Sequence, residues 1–537
     1  MQKRIIALLC LLFSVLATQA QTTDIVGDEL NGFKVNGEAV RQFKGNVSVK
    51  QPGKTMYCDL LNSYADSKKI EAFGNVRIVQ DDGTVATGDT LYFLETNQLA
   101  NLRGNVTLND KGKILTTRAL DYHMNSGTAY YYSGAKIVDG KNTLVSQQGE
   151  YNRATQILTF KKNVRMSSEN YTLDTDTLRY NTQTKISYFS GPTKIVTADG
   201  TLFSNKGSYD TNTEVATFEG RSTVNTPDYL LISDYSNYDK QKDQGFAQGN
   251  VVMFSKKDSI TILGAEAIYS KSKGYTKMYG NVLMKSPSEN KDTLYLAADT
   301  LLSLGSNDPK TQKTTASKLF AYKNVKIFKS DMQAVCDSLV YNFTDSTIYF
   351  FRNPILWNGV SQITGDSIWM LQRNNKPHQM YIRQNAFIVS RDSLKNYNQV
   401  KGRNMLASFV NSQIQKINVN GNGQSLYFAL EGDTALQGMN RANCSDMIVR
   451  FKEKNRLKTI TFLNKPEASF IPPHELPEPD KYLKGFKWHA KIRPTKAMVL
   501  GSRFVKPAVK ASVKPKTTKM VTKPTKKAKK PNKVKTK

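Results

Sequence analysis

The strongest constraint on the fold is an internal repeat with a period of about 29 residues. Its opening phrase is Gly-Asn-Val or a close variant, and clear copies stand at 45–49, 74–78, 104–108, 162–166, 249–253, 280–284 and 323–327. Weaker copies occupy 134–138, 191–195, 220–224, 352–356 and 384–388. The eight steps between Gly45 and Gly280 measure 28 to 31 residues each. A fixed period of this length predicts a stacked array of one small structural unit rather than a globule.

Each copy has the composition of short β-strands joined by turns. A second phrase follows the first by about 14 residues, as in DTLYF at 89–93 and DTLRY at 176–180, and a third phrase leads into the next copy. The phrases are rich in Val, Ile, Thr, Tyr and Phe and alternate apolar with polar residues, whereas Asp, Asn and Gly fill the spacers. This pattern favours strands and turns. We therefore expect an all-β, elongated stack with about three short strands and two turns per copy.

The recurring glycine and the recurring aspartate of the second phrase have structural interpretations. The glycine is expected at a corner or a β-bulge, because it adopts the required backbone angles without strain. The aspartate is expected to cap backbone N–H groups of a nearby turn. Calcium binding is the alternative for the aspartate, but the acids are single rather than clustered with other oxygen ligands. We expect no metal site and no cofactor.

Alternation along the first phrase places one of its faces in the interior, since residues i and i+2 share a face of a strand. Stacked copies then form a continuous apolar strip. The candidate interior positions are Val47, Val49, Val76, Ile78, Val106, Leu108, Val164, Met166, Val251, Met253, Val282 and Met284. These side chains either line an open slot or form a closed, dry core, because any β-sandwich requires the same alternation.

The N-terminal residues have the layout of a secretory signal. Cations stand within residues 1–4, an apolar run occupies residues 5–16, and small residues surround Ala20. The apolar run of about 12 residues is shorter than the roughly 20 that a membrane-spanning helix needs. We expect cleavage after Ala20 and an exported, soluble protein, with an uncleaved anchor as the alternative.

Three cysteines remain after the expected cleavage site, and an odd number cannot all pair within one chain. Cys58 and Cys336 each precede an aspartate at matching places in the repeat, and Cys444 is the third. Equivalent places in different copies lie too far apart for a disulfide. We interpret Cys58 and Cys336 as small buried residues.

The formal net charge of +31 is concentrated at the C-terminus. Residues 481–537 contain 20 Lys and Arg and no acid, and once these and the two cations of the signal are set aside, residues 21–480 carry +9. Residues 503–537 consist mainly of Lys, Pro, Thr, Val and Ala, a composition that predicts a disordered tail. Such a tail binds an anionic membrane surface or only keeps the chain soluble. Export argues against nucleic acid as its partner.

The order of phrases resembles the OstA domain of the LptA-like periplasmic lipopolysaccharide-transport family. The phrases that carry the resemblance are GNV at 74–76, TGDTLY at 87–92 and GNV at 104–106. The resemblance is clearest over 42–109 and fades after about residue 393. It implies a slot-like β-jelly roll of two splayed sheets that holds lipid acyl chains, with domains joined edge to edge. The array is longer than one bridge domain, so the chain resembles a long stand-alone variant of the family.

On this interpretation the chain has six parts. They are a signal peptide at 1–20, an N-terminal lead-in at 21–40, OstA-like repeats with the clearest motif at 41–200, further degenerate repeats at 201–470, a proline-containing linker at 471–502 and the basic tail at 503–537. The resemblance implies a periplasmic protein associated with the outer membrane. Its implied partners are lipopolysaccharide or lipid A at the candidate interior positions, and other envelope transport proteins or a second copy at the strand edges.

The implied function is that of a non-enzymatic carrier or bridge for lipopolysaccharide in outer-membrane assembly. A structural envelope scaffold or adhesin with a filled β core is the alternative, and a β-helix enzyme acting on polysaccharides is a further one. The four histidines are scattered, and the sequence has neither a nucleophile elbow nor a phosphate-binding loop. These observations argue against catalysis.

Overall fold

The computed structural model describes residues 23–501 except 111, 271, 288–291, 308–313, 375, 433 and 453–456. The expected signal peptide and basic tail lie outside the described residues. Within these ranges, thirty-four strands form one antiparallel sheet. This finding confirms the predicted elongated, all-β, jelly-roll-like fold. Among the described residues, no helix is both long and apolar enough to cross a membrane.

The strands are numbered in chain order. The first twelve are β1 (Asp24–Val26), β2 (Glu29–Val35), β3 (Glu38–Gln51), β4 (Lys54–Tyr64), β5 (Lys69–Gln80), β6 (Val85–Leu94), β7 (Leu99–Asp110), β8 (Lys113–His123), β9 (Thr128–Tyr131), β10 (Ala135–Asp139), β11 (Asn142–Ser146) and β12 (Gln148–Asn152). The next twelve are β13 (Ile157–Ser167), β14 (Tyr171–Asn181), β15 (Ile186–Thr197), β16 (Gly200–Asp210), β17 (Val215–Asn225), β18 (Tyr229–Asp239), β19 (Gln244–Ser255), β20 (Thr261–Ser270), β21 (Tyr275–Pro287), β22 (Thr293–Asn307), β23 (Thr314–Phe328) and β24 (Met332–Asn342). The last ten are β25 (Thr347–Phe351), β26 (Ile355–Asn358), β27 (Ser361–Thr364), β28 (Ser367–Arg373), β29 (Lys376–Arg391), β30 (Tyr397–Val410), β31 (Gln413–Glu431), β32 (Ala435–Phe451), β33 (Leu457–Leu463) and β34 (Glu467–Ile471). Three 3₁₀ turns at Pro473–Glu475, Glu478–Lys481 and Ala490–Ile492 and one short helix, α1 (Lys496–Leu500), follow.

The sheet is a meander in which most strands pair with the next strand in sequence. Strand β4, for example, lies between β3 and β5. Where a long strand is interrupted, two short strands take its place: β8 pairs with both β9 and β10, and β24 pairs with both β25 and β26. Short turns rich in Gly, Asn and Asp produce such antiparallel neighbours.

The predicted count of three short strands per copy is wrong. The third phrase of one copy and the first phrase of the next form a single strand, as in β5, which runs through Gly74 without ending. A β-bulge bends a strand but leaves its hydrogen-bond ladder intact on both sides. Each regular copy therefore adds two long strands, which advance the sheet by about 10 Å at the usual strand spacing.

Buried apolar side chains form two large clusters along the array. One cluster draws on residues 47–218 and the other on residues 231–449. Each cluster contains residues from both sides of the bulges, such as Leu61 and Val76 in the first cluster. The bent strands therefore enclose a shared interior on one face of the sheet, as the repeat pattern predicts.

Residues 473–501, which we call the strap, return across the outer face of the sheet after β34. Leu483, Pro494 and Val499 are buried in this segment, with Leu483 at 4% and Val499 at 3% exposure. Leu483 packs with Phe387, Leu426 and Met439 in a third apolar cluster. The stretch expected to be a linker thus includes a segment held against the sheet.

Three buried glutamine side chains bind the strap. The Gln399 amide donates to the Lys481 carbonyl and accepts from the Leu483 N–H, both at 2.8 Å. The Gln362 amide donates to the Lys487 carbonyl at 2.8 Å and accepts from the His489 N–H at 2.7 Å. The Arg493 Nε donates to Gln333 Oε1 at 2.8 Å. Because a primary amide both donates and accepts, each of the first two glutamines mimics the pairing of a neighbouring strand.

Candidate functional site

The Gly-Asn pair of each clear repeat, or Lys-Asn at 162–163 and 323–324, forms a β-bulge, which confirms the expectation for the glycine. In β5, Gly74 and Asn75 have φ of 74° and 46°, and the register with β6 shifts between Phe73 and Val76. Glycine occupies the left-handed region freely, and asparagine tolerates it better than most residues. We call the residues that follow the bulges and their cross-strand partners the valine half of the sheet, and those before the bulges the leading half.

The recurring aspartate does not cap a turn, so that expectation is wrong. In seven copies it lies opposite the bulge, where its carboxylate accepts a hydrogen bond from the bulge asparagine side chain. The pairs are Asp28–Asn46 at 2.8 Å, Asp59–Asn75 at 2.9 Å, Asp89–Asn105 at 3.0 Å, Asp234–Asn250 at 2.7 Å, Asp299–Asn324 at 3.1 Å, Asp366–Asn385 at 2.9 Å and Asp446–Asn464 at 2.9 Å. This hydrogen bond therefore holds the asparagine in its left-handed conformation, and we call the Asp–Asn side-chain bond the clasp.

Replacing Asn75 by Ala is expected to lower the free energy of unfolding by about 1 kcal/mol more than replacing Asn281 by Ala. Both substitutions put Ala at a positive φ, 46° for Asn75 and 49° for Asn281. Only Asn75 loses a bond to a carboxylate, because the residue that faces the other bulge, at Gly280, is Ala265. Urea unfolding measures the difference, and equal losses would contradict the clasp.

The clasp has a predictable dependence on pH at Asp234. Hydrogen bonds from Asn250 and Arg221 lower the pKa of the Asp234 carboxyl. A group whose pKa is lower in the folded state stabilises the fold above its unfolded pKa, and the contribution is lost as the pH falls through the folded pKa. The stabilisation is small, since this carboxylate is close to solvent.

The twelve candidate positions all lie on the interior side of the valine half. Eleven of them are buried, with exposures between 0% for Leu108 and Val282 and 8% for Val49, Ile78 and Met284. Met253 is half-buried and packs against the second cluster. The structure thus brings the predicted residues together along one face.

Six of the twelve belong to an unbroken apolar row, which we call the interior row. Each member pairs in register with a member on the adjacent strand. The row reads Val49, Met56, Ile78, Ala86, Leu108, Leu115, Ile137, Leu144, Met166, Leu173, Ile195, Leu202, Val224, Leu231, Met253, Ile262, Met284, Leu296, Ile327, Ala334, Leu356, Ile363, Ile388 and Val400. At about 4.8 Å per strand, such a row offers apolar contact over a distance on the order of 100 Å.

Side chains of the protein itself fill the interior over much of this length. From Ile78 to Leu173 every member of the interior row is less than 9% exposed. In the leading half, large rings lie over glycines: a Cβ added to Gly149 would overlap the Tyr131 ring, and one added to Gly207 would overlap the Phe189 ring. Packing of large over small residues leaves little free volume in these parts.

The longest accessible part of the interior row lies between β15 and β20. Its members there are half-buried with the exception of Leu231, which is 2% exposed. The half-buried members are Ile195, Leu202, Val224, Met253 and Ile262. We call the six members of the row from Ile195 to Ile262 the open stretch. An apolar ligand can contact these side chains without displacing a closed core.

A set of buried hydroxyl groups lies beside the start of the open stretch. In the weak repeats at 191–195 and 220–224, Thr193 and Ser222 stand where other copies have valine, and they pair with Ser204 and Ser233. Thr175 and Thr193 are hydrogen-bonded at 2.8 Å between their Oγ1 atoms. The two large clusters meet here, between Phe218 and Leu231. The replacement of valine by Thr193 and Ser222 in the weak copies was the sequence signal for this boundary between the two apolar clusters.

The three cysteines are free and buried, as interpreted for Cys58 and Cys336. Burial, together with the charge of Asp59, raises the pKa of the Cys58 thiol to about 11. Burial raises the pKa of Cys336 to about 12. A protonated, enclosed thiol is a poor nucleophile and a poor metal ligand. Within the described ranges, no three His, Cys, Asp or Glu side chains are grouped closely enough to hold a metal ion.

Comparisons with known proteins locate two family matches along the array. The family of OstA-like proteins matches residues 25–176 and 151–234. The family described as LptA/(LptD N-terminal domain) LPS transport protein matches residues 230–376. The two matches meet at the hydroxyl groups and the break between the clusters. No curated protein matches the chain.

A solved structure with local similarity is LptH, described as the LptA-homologous periplasmic component of the conserved lipopolysaccharide transport device from Pseudomonas aeruginosa. It is 15% identical, covers 23% of this chain and 82% of its own chain, and superposes with a TM-score of 0.20. The assignment therefore depends on the two family matches, which extend over most of the described repeats. Over residues 25–376 the chain is an OstA/LptA-like protein of the lipopolysaccharide-transport family.

Proposed function

We propose that this chain is a non-enzymatic periplasmic carrier or bridge for lipopolysaccharide, and that it holds lipid A acyl chains against the open stretch. The observation that carries the proposal is the interior row, which is apolar on every strand that it crosses from β3 to β30 and, apart from Leu231, half-buried between Ile195 and Ile262. Transfer of acyl chains from water to such a surface is favourable by about 0.8 kcal/mol per CH₂.

The strand edges support a bridging role. At the N-terminal edge, β2 is exposed along its whole length, with Leu30 at 63% and Phe33 at 41% exposure. At the other end, Phe470 on β34 is 56% exposed. An unprotected apolar edge strand favours pairing with another sheet. The partner at either edge is another envelope transport protein or a second copy of this chain.

The basic tail adds a second contact in this proposal. Its lysines would bind phosphate-bearing headgroups at the periplasmic surface of the outer membrane, in a manner that salt weakens. Deletion of residues 502–537 is the direct test. The shortened chain should lose binding to vesicles that contain anionic phospholipid, and unchanged binding would assign the tail to solubility alone.

A photocrosslinking amino acid placed at Met253 or Ile262 is expected to capture lipopolysaccharide in cells. Both residues belong to the open stretch and leave the closed core undisturbed. Val145 is the matched control, because it lies on the neighbouring, outward-facing row at 41% exposure. Val76 and Val106, each 1% exposed, should give fewer adducts unless the interior opens further when the lipid binds.

The closed interior between Ile78 and Leu173 favours the second candidate, a structural scaffold with a filled core. The same crosslinking set separates the two functions. A scaffold would give no lipopolysaccharide adduct at Met253 or Ile262 in folded protein, whereas a carrier gives adducts there and none at Val145. A crosslinker at Phe33 reports on the edge, since capture of Phe470 of a second copy would identify self-association.

A further inference from the structure

The outer face of the leading half has two depressions, each beside an exposed tyrosine. The first has a volume of about 300 Å³ and lies against Tyr130 and Tyr132. The second has a volume of about 430 Å³ and lies against Tyr188. Tyr132 and Tyr188 are 52% and 50% exposed, although each neighbours a buried aromatic ring on the inner face. Exposed rings beside concave surfaces are typical of binding sites rather than of packing.

The tyrosines of the first depression are held in place from behind. His123 stacks on Tyr130 with a centroid distance of 5.4 Å, and its Nε2 lies 2.9 Å from the Tyr130 hydroxyl. Arg103, which forms an ion pair with Asp121, reaches the Tyr132 hydroxyl at 3.4 Å. These contacts orient the two rings before any ligand arrives, which lowers the entropic cost of binding.

Hydrogen-bonding side chains join the two depressions. In register across five strands, Tyr130 pairs with Glu150, Glu150 with Thr159, Thr159 with Arg179, and Arg179 with Tyr188. We call this outward-facing row the polar row. It spans four strand steps, or on the order of 19 Å. Its side chains both donate and accept hydrogen bonds, and its single acid is balanced by its single guanidinium.

The side chains of the polar row suit a sugar better than an acyl chain or a polyanion. An acyl chain would find no continuous apolar surface there, and a polyanion would find no excess of cations. A pyranose presents C–H groups on its faces, which pack on aromatic rings, and hydroxyl groups at its rim, which bond to carboxylate, guanidinium, amide and hydroxyl side chains. The second depression offers such groups in Ser208, Asp210 and Gln241.

The continuation of this outward-facing row in the C-terminal half of the array has few hydrogen-bonding side chains. Between β19 and β30 it consists of Phe246, Ile268, Lys277, Leu302, Phe320, Val340, Tyr349, Trp369, Tyr381 and Leu406. Nine of these ten side chains are apolar or aromatic. A run of hydrogen-bonding side chains with a tyrosine at each end is therefore a property of the N-terminal half and not a general consequence of the repeat.

We infer that the polar row, which runs from Tyr130 to Tyr188 and has Tyr132 beside its first end, binds an oligosaccharide of several pyranose units. The inference rests on the proposed function in one respect: the saccharide part of lipopolysaccharide is the source that this protein would meet. Tyr188 and Ile195 both lie on β15, but Tyr188 faces outward and Ile195 faces the interior, so the polar row and the open stretch are separate sites on opposite faces of the sheet. A glycan of N-acetylhexosamines presents the same pyranose chemistry and is the other source.

The test uses the mature full-length chain and two probes that contain no lipid. They are the acyl-free oligosaccharide released from lipopolysaccharide and a trimer of N-acetylglucosamine, each titrated by calorimetry and by saturation-transfer NMR. Saturable binding of the first probe supports the site and identifies its source as lipopolysaccharide. Binding of the trimer alone supports the site with a cell-wall glycan as its source.

The variants Tyr132→Ala and Tyr188→Ala are each expected to weaken binding by about threefold to tenfold, the effect of losing one ring contact. Tyr132→Phe keeps the ring and should bind as the parent does. Tyr57→Ala is the matched control, because Tyr57 is 42% exposed and lines neither depression. Absence of saturable binding to both probes, or equal affinities for Tyr132→Ala, Tyr188→Ala and Tyr57→Ala, would overturn the inference.

Lipopolysaccharide adducts at Met253, measured in the chain that keeps Tyr132 and Tyr188, separate the two proposals. If the adducts form and oligosaccharide binding is absent, the carrier function stands and the polar row has no saccharide role. If the oligosaccharide binds and the adducts are absent, the polar row stands and the acyl-chain proposal fails.

Discussion

A chain that ends after Ile471 is expected to lose at least about 5 kcal/mol from the free energy of unfolding of its C-terminal sheet. The deletion removes the buried residues Leu483, Pro494 and Val499 of the strap. It also uncovers Leu426 and Met439, which are 1% and 0% exposed with the strap in place. Urea unfolding followed by tryptophan fluorescence measures the loss, because Trp357 lies in the cross-strand row between Gln333 and Gln362 that the strap crosses.

The matched control for this deletion ends after Gly501 and so removes only residues 502–537. It keeps all three tryptophans and every hydrogen bond from the strap to Gln333, Gln362 and Gln399. Its unfolding midpoint should equal that of the full chain. The point variant Leu483→Ala, expected to cost about 2–4 kcal/mol, tests the same packing in a chain of full length. Equal midpoints for the two truncations would show that the strap adds nothing to stability.

Replacement of Leu115 by Ala is expected to cost about 2–5 kcal/mol. Leu115 is 0% exposed and is paired in the interior row with Leu108 and Ile137, so the shortened side chain leaves a cavity that rigid neighbouring strands cannot close. Val145→Ala is the control on the outward-facing row and should change the free energy of unfolding by about 0.5 kcal/mol or less. The measurement is the urea midpoint of each purified variant.

The Leu115→Ala cavity also tests whether the closed part of the interior can bind an alkyl chain. An apolar cavity stays dry and binds small apolar molecules, and a ligand that binds only the folded state raises stability. Addition of decanol should therefore raise the midpoint of Leu115→Ala and leave that of Val145→Ala unchanged. An equal response of both variants would mean that the alcohol acts on the protein in general and not in this cavity.

The packing of the interior differs between two segments of the array. The interior is filled from Ile78 to Leu173 and half-open from Ile195 to Ile262, and the two family matches meet within the open stretch. A closed segment provides stability, whereas a segment with incomplete packing is the one that can exchange protein contacts for ligand contacts at low cost. The buried hydroxyl groups of Thr193 and Ser222 reduce apolar packing at the boundary between them.

Local sequence determined the strands, the bulges and the interior face. Alternation of apolar and polar residues acts over a few residues, and a left-handed conformation at Gly74 and Asn75 is a property of those two residues. Both signals recur every 29 residues or so, which is why all twelve candidate positions could be placed on one face before the structure was known. The predicted number of strands per copy was wrong because glycine and asparagine are common both in β-bulges and in turns, whereas only a turn ends the hydrogen-bond ladder.

Tertiary structure alone decided the clasp, the open stretch and the strap. The partner of Asn75 is Asp59, 16 residues earlier, and is defined by the register between two strands. The exposure of Met253 depends on how neighbouring strands pack, which no single strand encodes. Gln333 meets Arg493 across 160 residues of sequence. A lone glutamine in a strand has no local pattern that marks it as a strap partner, because its two hydrogen bonds exist only once the chain has returned across the sheet.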